Sequence, residues 1–124
     1  MIKSTVCYLV HDEKWLMLLR NKKQNDLNHG KWIGVGGKLK ENEAPYECMV
    51  REVIEETGYQ VQSALYCGII HFHYQHHEDE EIYVYQTSDY VGTLHECSEG
   101  TLAYIPKKDI LDLELWEGDR IFLE

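Results

Sequence analysis

Three carboxylates, Glu52, Glu55 and Glu56, follow Arg51 within the segment GKLKENEAPYECMVREVIEETGY, residues 37–59. On a helix advancing about 100° per residue, all three fall within about 100° of arc. Carboxylates so close repel one another, and a hard divalent cation removes that repulsion. Magnesium takes oxygen ligands, keeps several waters and bridges carboxylates to substrate phosphates. A solvated acidic helix face would also carry such glutamates. It would not require a glycine segment at a fixed distance ahead of them, nor an arginine beside them. Gly34, Gly36 and Gly37 let the backbone turn sharply and approach a ligand closely. Arg51 can pair with Glu43 two turns earlier and fasten the glycine segment to the helix. The fixed points are Gly37, Glu43, Arg51, Glu52, Glu55, Glu56 and Gly58. At background residue frequencies, their joint occurrence by chance is on the order of one in 10⁸ per start position.

The elements that must position these groups are legible nearby. Pro45 suits the first turn of a helix, where its missing N–H costs nothing. Asn42 is a plausible N-cap and Gly58 a plausible left-handed stop, which brackets a helix over about 44–57. Val50, Val53, Ile54 and Thr57 then face a core, and Cys48 falls on the glutamate face. Residues 4–10 and 15–20 read as strands joined by a turn at 11–14. Residues 21–31 are a polar loop, and 32–40 a short strand with the glycine loop. Residues 61–74 and 81–87 read as two longer strands. The β-formers Ile82, Tyr83, Val84 and Tyr85 suit a strand buried on both faces. Residues 101–105 form a last strand, Pro106 opens a short helix, and Trp116 begins another. This order predicts an α/β fold, a mixed sheet covered by helices, in one domain over 1–124.

A net charge of −10 argues against binding to a nucleic acid polymer, which needs clustered Lys and Arg. An anionic substrate would instead meet metal ions and the local cations Lys22, Lys23, Lys31, Lys38 and Lys40. No apolar run is long enough to span a membrane, and the first residues lack a signal-peptide pattern, so a cytoplasmic protein is expected. Cys7, Cys48, Cys67 and Cys97 form no C-x-x-C pair and read as buried free thiols. His71, His73, His76 and His77 beside Glu78–Glu81 read better as a solvated hairpin loop than as a transition-metal site. Glu96 and Glu99 lie in the loop before the last strand. Trp116 could stack on a nucleobase while Asp119 accepts from its N–H edge; a core tryptophan near the chain end is the other reading.

The seven fixed positions resemble the signature of the Nudix (MutT) hydrolases, with none missing. The likeness extends through RNKKQNDLNHGKWIGVGGK and SEGTLAYIP to LWEGD, where it is most similar to the bacterial MutX-type 8-oxo-dGTP diphosphatases. The resemblance implies a Nudix α/β/α sandwich and Mg²⁺-dependent hydrolysis of an oxidised purine dNTP, with Mn²⁺ able to substitute. It implies that Gly36 offers a carbonyl to metal, with Glu52, Glu55 and Glu56 as helix ligands and Glu99 as a distal carboxylate. Arg51 joins the catalytic group, Lys23 and Lys38 meet the substrate, and Trp116 and Asp119 hold the base. Ile33 departs from the asparagine that reads the purine in vertebrate-type relatives, and its side chain cannot hydrogen-bond. That departure weakens the case for strict 8-oxoguanine selectivity. A dinucleoside polyphosphate or nucleotide-sugar hydrolase, and a non-catalytic nucleotide-binding module, stand as alternatives. Tyr74 resembles, weakly, a residue of diadenosine-polyphosphate relatives. The sequence ends eight residues after Trp116, where relatives continue into a longer helix. A short final helix would expose apolar sheet surface, so a monomer or a homodimer is expected.

Overall fold

The computed structural model describes residues 1–19, 32–73, 78–97 and 100–112. Strand β1 (Ile2–His11) turns through Asp12 and Glu13 into β2 (Lys14–Leu19). Both turn residues have positive φ, 49° and 63°, the twist that a two-residue hairpin demands. β3 (Trp32–Ile33) and β4 (Val35–Lys38) precede helix α1 (Pro45–Thr57). β5 (Tyr59–Phe72), β6 (Glu80–Gly92) and β7 (Thr101–Pro106) follow, and a 3-10 turn covers Lys107–Asp112.

The sheet runs β3-β2-β1-β6-β5, with β4 also on β1 and β7 also on β2. β1 and β6 are parallel, and every other pairing is antiparallel, so the sheet is mixed. Alternation along β1 divides the core. Cys7 and Leu9 join Leu16, Val35, Met49, Val53, Val61 and Tyr85. Tyr8 joins Trp15, Met17 and Val84, with Trp32, Ile70 and Ile82 packed against them. A central strand apolar on both sides is what a sheet with two covered faces requires. This is the mixed α/β sheet expected from the sequence, with α1 packed against β1, β4 and β5. The polar loop 21–31 and the helix expected from Trp116 lie outside the described residues.

Several expectations need correction. Asn42 does not cap α1. It sits in a turn at φ 63°, and Ala44 is the N-cap in extended conformation. Pro45 is the reason: it pushes the residue before it out of the helical region, so the helix starts too late for Asn42. Ala44 has no side-chain acceptor, and Glu47 instead accepts from the Ala44 N–H at 3.0 Å. At the other end Gly58 stops the helix at φ 87°, donating to the Ile54 carbonyl at 2.9 Å. Ile54 is exposed rather than core, while Cys48, Met49, Val53, Glu56 and Thr57 are buried. The buried stripe is rotated towards Cys48 and Glu56 because β4 covers that side.

The glycine loop is a strand. Gly36 and Gly37 pair with Val6 and Thr5 of β1. β6 continues to Gly92, past the expected end at 87, because Val91 and Gly92 pair with Gln60 and Tyr59. Within it Val84 and Tyr85 are buried, while Ile82 and Tyr83 are only half-buried. Cys67 is exposed, unlike the other three thiols, because it lies in a bulge of the edge strand β5.

Candidate active site

Cys48, Glu52 and Glu56 recur at i, i+4 and i+8, one stripe of α1, and that stripe lies along β4. The Gly36 N–H donates to Glu56 Oε2 at 3.3 Å. A Cβ on Gly37 would stand only 2.6 and 2.7 Å from the two Glu52 oxygens. The Cys48 thiol donates to the Gly37 carbonyl at 3.6 Å. Burial pushes that thiol up, so it keeps its proton. Two residues without side chains therefore let the helix carboxylates reach the strand backbone itself.

Arg51 organises the rest. Its Nε and Nη2 fork onto Glu43 at 2.7 and 2.9 Å. Its Nη1 reaches Glu52 at 2.6 Å and Glu55 at 3.2 Å, and Nη2 also donates to the Lys38 carbonyl at 3.2 Å. The loop-to-helix clamp expected from the sequence is present and bidentate, the strong form of such pairs. Hydrogen bonding to Glu43 first, and then to Glu52, holds the Arg51 pKa above its usual range.

The Arg51 fork, helped by the Lys40 N–H, lowers Glu43 from 4.5 to about 2. A carboxylate depressed in the folded state adds stability above its unfolded pKa and loses it as pH falls through the folded one. Glu43→Gln should therefore be less stable than wild type at neutral pH. The gap should close as pH falls from 4.5 towards about 2. Urea unfolding of both proteins across that window checks this, and a pH-independent gap would refute it.

The donor set is all oxygen: one nearly buried carboxylate, Glu56, one mostly covered, Glu52, and one open to solvent, Glu55. Together with a backbone cradle that a Cβ would fill, this suits a hard divalent cation. Among the described residues, no three His, Cys, Asp or Glu side chains already converge as a ligand cage. Arg51 holds Glu52 and Glu55, while Gly36 holds Glu56.

The structure brings Gly36, Arg51, Glu52, Glu55 and Glu56 together. Lys38 lies at the same place, with its side chain exposed and its carbonyl on Arg51. Lys40 is exposed close by. Lys22, Lys23, Lys31, Tyr74, His76, His77, Glu99, Trp116 and Asp119 lie outside the described residues. His71 faces Glu81 at 3.5 Å and His73 faces Asp79 at 3.0 Å, two separate pairs rather than one cluster. Glu96 is exposed in its loop. Sequence reasoning missed the contacts of Cys48 and Thr5 with the glycine strand. The i, i+4 spacing of Cys48 and Glu52 was the available signal.

Residues 1–124 match the NUDIX domain family, and the chain belongs to that family of hydrolases. Nudix hydrolases act on nucleotides and generally use divalent metal cations. The chain is 26% identical to the uncharacterized Nudix hydrolase YvcI of Bacillus subtilis, over 98% of this chain and 77% of that protein. It is also 26% identical to the oxidized purine nucleoside triphosphate hydrolase of Mus musculus, over 82% of this chain and 66% of the mouse protein. The MutT protein of Methanosarcina mazei Go1 superposes with a TM-score of 0.86 at 25% identity, covering 98% of this chain and 89% of its own. No described helix is long and apolar enough to cross a membrane.

Proposed function

We propose that this protein is a Mg²⁺-dependent nucleoside triphosphate diphosphatase. It hydrolyses oxidised purine dNTPs such as 8-oxo-dGTP to the monophosphate and pyrophosphate, a nucleotide-pool sanitation activity that protects DNA. The observation that carries this reading is the Arg51-ordered glutamate stripe lying on a strand without side chains. The likeness to the mouse oxidized purine hydrolase supports the substrate class.

The residues that would hold the metal are Glu52, Glu55 and Glu56, with the Gly36 carbonyl and Glu99. Bound there, a divalent cation supplies charge neutralisation of the phosphate oxygens. Glu52 or Glu99 takes the proton from the water that attacks the β-phosphorus. Arg51 fixes the Glu52 carboxylate and keeps Glu43 ionised. Lys23 and Lys38 bind the substrate, Lys23 at its phosphates or its nucleoside, and Trp116 and Asp119 hold the base. Ile33, half-buried in β3, offers the base no hydrogen bond from its side chain. Selectivity for the oxidised base then rests on Asp119 and backbone groups.

The test is kcat/KM with Mg²⁺ for 8-oxo-dGTP, dGTP, dATP, dCTP and diadenosine tetraphosphate, reading pyrophosphate from the four triphosphates and the product nucleotides from diadenosine tetraphosphate. A preference of ~10²-fold for 8-oxo-dGTP over dGTP, about 2.7 kcal/mol in transition-state binding, is the expected result. Flat, slow turnover of all five would assign the hydrolase to another nucleotide substrate. No metal-dependent release from any of them would overturn the reading.

A further inference from the structure

We infer that Cys48, with Thr5 behind it, is a positioning residue that sets the distance between the catalytic helix and the glycine strand. The inference rests on the functional reading above, since it concerns where Glu52 and Arg51 stand. Cys48 has no exposed surface, and its thiol makes polar contacts with the strands and with Arg51, beside a hydrogen bond to the Glu43 carboxylate. Sγ lies 3.4 Å from Thr5 Oγ1, 3.6 Å from the Gly37 carbonyl and 3.7 Å from Arg51 Nη2. A thiol has one proton to give. The carbonyl can only accept and the guanidinium can only donate. The contact with Gly37 therefore uses the thiol proton, which the Glu43 carboxylate also draws on, while sulfur accepts from Arg51 and can accept from the Thr5 hydroxyl.

These partners are not scattered. Thr5 and Gly37 are ladder partners across β1 and β4. Cys48 thus pins α1 to both strands at one rung. That rung is the one whose glycine Cα faces the Glu52 carboxylate. One helical turn separates the pin from Glu52, and the same sulfur takes a hydrogen bond from the arginine that orients Glu52. Sulfur suits the task because its hydrogen bonds are long. A hydroxyl could still make these contacts after a small shift of the helix, and a methyl group would make none. Thr5 is itself buried, so without the sulfur its hydroxyl loses this partner and the helix has a second reason to shift.

The effect should be read on metal affinity and not only on turnover, because groups behind the ligands set ligand orientation. Mn²⁺ binding to the purified protein, followed by electron paramagnetic resonance, reports it without any substrate. Cys48→Ala should weaken Mn²⁺ binding by about 10-fold, in line with the loss of an outer partner at other metal sites. Cys48→Ser, which still donates to the carbonyl, should recover most of that loss. If Cys48→Ala does not fold, Cys48→Val replaces it as a donor-free side chain. A folded donor-free variant with wild-type Mn²⁺ affinity overturns the inference. Serine and donor-free variants weakened equally would reduce Cys48 to packing and overturn it too. Wild-type protein that binds Mn²⁺ but releases no pyrophosphate would instead count against the functional reading alone.

Discussion

Glu52→Gln should lower kcat by at least ~10²-fold while leaving the protein folded. The carboxamide has nearly the shape of the carboxylate, and its oxygen can still accept from Arg51 Nη1, which reaches Glu52 at 2.6 Å. The clamp onto Glu43 uses other atoms of the guanidinium and is untouched. What disappears is the negative charge and the ability to take a proton. Both are needed if Glu52 is a metal ligand or the base. Glu55 makes a useful control because it stands in solvent and meets Arg51 at a longer 3.2 Å. Its glutamine variant should lose less. Steady-state kinetics with saturating Mg²⁺, beside thermal unfolding of each variant, distinguish a chemical loss from a folding defect. Near-normal turnover in Glu52→Gln would remove Glu52 from both roles.

Most of the catalytic helix was legible because its constraints are local. Gly58 could be read as a stop from its conformational freedom, and Arg51 as the partner of Glu43 from spacing and charge. The strands were legible from their β-formers. Most of what could not be read depended on a neighbour distant in sequence. Ile54 fits the apolar arc of the helix, yet β4 covers the other side and leaves it exposed. Gly36 and Gly37 read as a loop because glycine disfavours strands, and their ladder with β1 overrides that preference. Asn42 read as a cap because capping preference is strong, and Pro45 moved the start of the helix beyond it. Cys67 read as buried by residue type, and nothing local marked β5 as an edge. Cys48 was seen on the glutamate face, but its partner Thr5 lies 43 residues away.

The two strand glycines should fail in opposite ways when given a side chain. At Gly37 a Cβ would stand 2.6 and 2.7 Å from the Glu52 oxygens, closer than the 3.0 Å that real Cβ contacts keep. The obstacle is the far end of a flexible side chain, so Glu52 can move aside at little cost in stability. Gly37→Ala should therefore keep nearly the wild-type Tm and lose activity by roughly the ~10²-fold expected for Glu52→Gln. Adding Glu52→Gln to it should cost little more, since both changes remove the same group. At Gly36 a Cβ would run into the Thr5 backbone, with the Val6 Cα at 2.9 Å. A paired strand cannot step aside as a side chain can. Gly36→Ala should open the β1–β4 ladder and lower stability by about 1–3 kcal/mol, the range for overpacking. Thermal unfolding and kinetics on the two single variants, with the Gly37→Ala/Glu52→Gln double, test the contrast. If Gly37→Ala unfolds as early as Gly36→Ala, the glycine strand is a matter of folding. If it turns over like wild type, the Glu52 carboxylate does not need the space that Gly37 leaves.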